Sequence, residues 1–104
     1  MEQAVIVHIP LDDNRFGSEV QRAKLYELED ALIEAVELAD TGEFDGNEFG
    51  EGECVFFIYG PDADEIFMVI DVVLKEYPAA QGGYAIKRYG PAEDLAAKEV
   101  RVTW

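Results

Sequence analysis

The chain has 104 residues, 49% hydrophobic, 12% aromatic and 30% charged. This is the profile of a globular protein, and a chain of this length buries roughly 65% of its unfolded surface, enough for one core. Eight Lys and Arg face 23 Asp and Glu, a formal charge of −15, which argues against nucleic acid or an anionic membrane as partner and suits a basic protein. The single cysteine, Cys54, excludes an intramolecular disulfide and a cysteine-based zinc site.

Met1 to Ile6 lack the basic region and long apolar core of a signal peptide, so a cytoplasmic, reducing setting is expected. Ala4–Leu11 reads as a first strand, apolar on both faces as in a covered central strand. Asp12–Gly17 is a loop. Ser18 with Gln21 three residues on is a capping-box pattern and opens a helix. Leu25, Leu28, Leu32, Ala35, Val36 and Ala39 form its apolar stripe, and Thr41-Gly42 stops it.

Glu43–Phe49 is a weak, glycine-interrupted strand, and Phe49–Gly52 supplies a hairpin turn. Glu53–Tyr59 is the strongest strand, again apolar on both faces. Gly60-Pro61 ends it. Asp62 caps a second helix, with Glu65 at N3 and Ile66, Val69, Ile70, Val73 and Leu74 as its buried stripe. Pro78 ends that helix and Gln81–Gly83 turns the chain. Tyr84–Tyr89 is a fourth strand, and a polar connector from Gly90 has room for one helical turn. Glu99–Trp104 alternates as a fifth, edge-like strand.

The order β-α-β-β-α-β, with right-handed crossovers, predicts one α+β domain over residues 1–104: a ferredoxin-like antiparallel sheet, two helices on one face, and an extra C-terminal strand. The first and third strands belong at the centre. Two helices cover one sheet face only, yet both faces of those strands are apolar. An open apolar face marks an interaction surface, and a twofold homodimer is the expected cover. The alternative cover is the C-terminal segment folding over that face. The loop after the first strand, the hairpin and the turn after the second helix fall at one end, gathering Asp12, Asp13, Asp45, Glu48 and Glu51, with Asn47, Glu53 and Arg15 close by.

Asp45–Glu53 has the oxygen-rich look of a hard-cation loop but lacks EF-hand spacing, so a charged, glycine-shaped hairpin is expected and no metal. His8 is the only histidine and falls on the helix-free face. With Lys87 or Arg88 on the neighbouring fourth strand and a carboxylate, it is the basis of an alternative reading as a small enzyme. Its polar role in an interface is the simpler one, and no catalytic residue is assigned. Cys54 reads as a small buried hydrophobe. The glycines match neither phosphate-binding spacing, so no cofactor is expected. Tyr59-Gly60-Pro61 and Tyr89-Gly90-Pro91 repeat a strand-stop tripeptide at one sheet end, where the two tyrosines are candidates to line a small pocket. His8, Tyr59, Arg88 and Tyr89 are thus the candidate ligand-binding residues.

Gly42–Glu48 together with Phe57–Asp64 resembles small bacterial proteins of unassigned function with a ferredoxin-like fold. That resemblance implies a fold and a bacterial cytosolic setting and brings no catalytic residues. Three readings follow: a non-catalytic ligand- or protein-binding, regulatory domain, dimeric through its sheet; the His8 enzyme; and an acidic protein that neutralises a basic partner, as immunity proteins do.

Overall fold

The computed structural model describes residues 2–13 and 15–104; Met1 and Asn14 of the expected loop lie outside the described residues. Strand β1 (Gln3–Pro10) is the middle of a five-stranded antiparallel sheet. On one side it pairs with β3 (Glu53–Gly60), which pairs in turn with β2 (Glu43–Gly50). On the other it pairs with β4 (Tyr84–Arg88), flanked by β5 (Glu99–Val102). The order β2-β3-β1-β4-β5, with helices α1 (Glu19–Ala39) and α2 (Ala63–Glu76), is the expected ferredoxin-like arrangement extended by one C-terminal edge strand. No helix among the described residues is long and apolar enough to cross a membrane.

The local signals act as their chemistry predicts. The Ser18 side chain accepts from the Gln21 amide, and the Asp62 side chain accepts from Asp64 and Glu65, so each helix begins on a satisfied cap. Only half of the capping box forms. Asp12, not Gln21, reaches the Ser18 amide, while Gln21 accepts from the amide of Asp12. Helix α1 ends at Ala39, two residues before Thr41, with the capping Asp40 in the left-handed region at φ 52°. The connector after β4 makes two turns, closed by Asp94 onto Pro91 and Ala97 onto Asp94, in place of a helical turn.

Pleating gives each strand two faces. Val5, Val7 and Ile9 of β1 and Cys54, Phe56 and Ile58 of β3 point to the helices and are buried. Leu25, Leu28, Leu32 and Val36 of α1 and Ile66, Ile70 and Leu74 of α2 meet them. The expected α1 stripe is narrower in fact, since Ala39 is exposed and Ala35 half-buried. The opposite sheet face carries no helix. The C-terminal segment does not cover it either: β5 lengthens the sheet, and Trp104 turns to the helix side, where its indole N–H donates to the carbonyl of Ala80.

The chain between α1 and β2 crosses the end of β3 at backbone contact. A Cβ on Gly42 would stand 2.3 Å from the Tyr59 carbonyl oxygen, and one on Gly60 would stand 2.5 Å from that of Thr41. Both obstacles are backbone and cannot swing away. Gly42→Ala is expected to cost about 2 kcal/mol, the scale of an overpacked site, read as a lowered urea midpoint with an unchanged slope. A midpoint within error of wild type would contradict the close approach.

Candidate functional site

The open face is a grid whose rows are set by strand register. One row runs Glu48, Val55, His8, Tyr84 across β2, β3, β1 and β4. The next runs Gly46, Phe57, Ile6, Ile86, Arg101, ending on β5, and the last runs Glu43, Tyr59, Ala4, Arg88, Glu99. At its middle Ile6, Val55, Phe57 and Ile86 are apolar and half-buried and Ala4 is buried, because neighbouring side chains shield one another while no helix lies above them. Charge sits at the sides. Glu43, Glu48 and Glu53 lie toward β2, and Arg88 and Arg101 lie toward β5 with Glu99 beside them. At Gly46 the face dips: φ is +126° and a Cβ there would meet nothing within 4 Å. This follows from a bulge between Phe44 and Gly46 that gives β2 one residue more than β3. A depression of about 290 Å³ forms over it, lined by Asp45, Glu48, Phe57 and Tyr59 among others.

His8 stands in a stack. Its ring lies parallel to that of Tyr84, 4.7 Å between centroids and 6° between planes. The Arg101 guanidinium carbon is 3.8 Å from the Tyr84 centroid, well within cation–π range. His8 Nδ1, otherwise buried and without a hydrogen-bond partner, is 3.3 Å from a Glu53 carboxylate oxygen. Carboxylate, imidazole, phenol and guanidinium thus follow one another across four strands. The cation expected beside His8 from residues 87 and 88 is not there. Arg88 pairs with Ala4, four residues or about 13 Å along β1, and donates from Nε to the carbonyl of Gly90. Lys87 is on the helix face, held by Asp64 at 2.9 Å.

The two tyrosines of the repeated tripeptide do not share a pocket, because they fall on opposite faces. Tyr59 borders the open face beside Gly42 and Pro61. The Tyr89 hydroxyl donates to Asp64 on the helix side at 2.6 Å. Hydrogen bonds from Tyr89 and Lys87 hold the Asp64 carboxyl below the usual carboxylate range, and the same contacts hold Lys87 and Tyr89 above theirs. Of the four candidate ligand-binding residues, His8, Tyr59 and Arg88 share the open face, with His8 near one end and the other two near the opposite end.

The acidic residues divide by task. Asp12 accepts from the amide and hydroxyl of Ser18, and Asp13 from the amides of Arg15 and Gly17, so both fold the loop that leads into α1. That loop docks on the hairpin through Leu11 to Gly52 and Gly52 to Arg15 backbone bonds. Glu51 sits at the turn with φ 52°. Asp45 is in the β2 bulge, away from the hairpin, and Asn47 faces α1, where it donates to Glu29. Glu48 and Glu53 belong to the open face. Cys54 is fully buried, and burial pushes its thiol up to about 12, leaving it protonated and unreactive near neutral pH.

No protein-family model matches the chain, and no curated protein or solved structure is significantly similar to it. The ferredoxin-like fold therefore stands on the structure itself. Sequence reasoning did not single out Tyr84 and Arg101. Both lie at open-face positions of their strands, but only the β1–β4–β5 register brings them to His8.

The two backbone hydrogen bonds to Asp13 lower its carboxyl. A carboxylate depressed on folding stabilises fully above its unfolded value near 3.8, and that contribution is lost as pH falls through the lower folded value. Asp13→Ala is therefore expected to melt below wild type at neutral pH, with the difference shrinking in acid once the pH has fallen through the folded value. A melting difference that persists unchanged into acid would show that Asp13 acts other than as a carboxylate.

Proposed function

We propose that this chain is a non-catalytic protein-binding domain that works through its open sheet face, and that a second copy of the chain covers that face. One observation carries the reading: β1 and β3 are apolar on both sides, and helices cover only one. Leaving the other side in water forfeits the burial that such residues favour, at about 25 cal/mol per Å². Five strands at about 4.8 Å spacing and about 20 Å length present on the order of 500 Å² of projected face. Two copies reach the roughly 1,000 Å² that separates specific interfaces from incidental contacts.

The groups on and around the face support binding over catalysis. His8 has its ring engaged by Tyr84 and one nitrogen directed at Glu53. The Ser18 hydroxyl is occupied in capping, and the Cys54 thiol is buried and protonated. A nucleophile with a positioned base is the requirement for the enzymatic alternative. A reducing, cytoplasmic and bacterial setting belongs to this reading, supported by the lone buried thiol and the sequence resemblance.

Light scattering on a sizing column is expected to give twice the mass of one chain at tens of micromolar. Phe57→Asp, which places a charge at the centre of the open face and leaves the helix-side core intact, is expected to give a folded monomer. A wild-type monomer at that concentration, or a Phe57→Asp dimer, overturns the reading.

A further inference from the structure

The open face is charged in a way that selects one orientation for its cover. Glu43 and Glu48 stand on β2, about 10 Å to one side of β1, and Arg101 stands on β5, about 10 Å to the other. A chain of net charge −15 meets its own copy against strong repulsion, so the few cations on the contact face decide the geometry.

Two sheets packed face to face lie about 10 Å apart with strand directions within about 30°. A twofold axis in the plane between them then has two aligned choices. With the axis across the strands, β2 lies on β2 of the other copy, carboxylates face carboxylates, and Arg101 faces Arg101. With the axis along the strands, β1 lies on β1, β3 on β4, and β2 on β5.

We infer that the chain pairs with a second copy about a twofold axis parallel to β1, so that Arg101 of each copy enters the depression over Gly46 of the other, between Glu48 and Glu43. This rests on the reading that the open face is an interface between copies. The depression has what a guanidinium needs: carboxylates at its sides, the rings of Phe57 and Tyr59 at its edge, and no Cβ at Gly46 to fill it. Arg101 approaches Gly46 within one row of either glutamate. A 30° rotation between the sheets, which shifts the outer strands by about one row, therefore still leaves a carboxylate opposite it. Arg88 falls over Tyr59 in the same arrangement. Glu99 falls toward Glu43 at the corner, and is offset by Arg88, its partner across the β4–β5 ladder. The axis passes near His8, bringing the two imidazoles together, each with its own Glu53 alongside.

The test is a charge swap. Dimer dissociation constants would be measured by sedimentation for wild type, Arg101→Glu, Glu48→Arg and the double variant, with circular dichroism confirming that each is folded. Each single change places like charges opposite one another twice per dimer and is expected to weaken association at least about tenfold. The double change restores opposite charges and is expected to return association to near the wild-type value. Added salt is expected to narrow the difference between wild type and the single variants, since it screens the contacts that distinguish them. A dimer that Arg101→Glu leaves unchanged, a dimer that Glu48→Arg tightens, or a double variant no better than the singles overturns the orientation; tightening by Glu48→Arg is the outcome of the axis across the strands, which sets Glu48 opposite Glu43. If that happens while Phe57→Asp still gives a monomer, the sheet-face reading stands and only the orientation fails. A wild-type monomer overturns both.

Discussion

Strand β1 pairs on both edges and carries apolar side chains on both faces, and the rest of the fold is arranged around that strand. Its helix-side residues Val5, Val7 and Ile9 are buried beneath α1 and α2 together with Phe56 and Ile58 of β3. Its ladder to β3 runs from Gln3 to Pro10 and its ladder to β4 from Ala4 to His8, so backbone amides and carbonyls are paired on both edges along its centre. Once β1 is central, both crossover helices are forced onto one side by the right-handedness of their connections, and the other side is left without a layer. The asymmetry of the molecule is thus a consequence of topology.

The open side is not a featureless apolar sheet. Its middle is Ile6, Phe57, Val55 and Ile86; its margin toward β2 is acidic, and its cations, Arg88 and Arg101, lie toward β5 around Glu99. The stack of His8, Tyr84 and Arg101 holds Arg101 in place, since the Tyr84 ring engages the imidazole and the guanidinium together. The bulge in β2 removes a side chain where the acidic margin would otherwise stand highest. Edge and margin are therefore shaped as well as charged, and a bulged edge strand also discourages further strand pairing.

The elements were legible in the sequence because each rested on local chemistry. Ser18 and Asp62 are caps whose acceptors need only the next turn of helix, and Tyr-Gly-Pro stops β3 and precedes the turn after β4 without reference to anything distant. Two-sided apolar composition identified β1 and β3 as inner strands. The site was less legible because it depends on register. One residue of alternation separates Tyr59 on the open face from Tyr89 on the helix face. The four-residue spacing from Tyr84 to Arg88 decides which of them meets His8. The acidic residues depend on such detail too: the oxygens of Asp12 and Asp13 are turned inward to backbone amides, and the bulge carries Asp45 away from the hairpin. Arg101 drew no notice as one charge on a short edge strand, and gains meaning only when β5 is placed two strands from β1.

The claim at the centre of this account is that the open sheet face is covered in solution. Solvent relaxation by a soluble gadolinium chelate reads this directly from methyl groups. The δ-methyls of Ile6 and Ile86 on that face would be compared with Val72 and Met68, which are 58% and 70% exposed on α2. The account predicts that at dimer-forming concentration Ile6 and Ile86 relax as slowly as the core residue Ile58, while Val72 and Met68 broaden. Open-face methyls that broaden in step with those of α2 would contradict it.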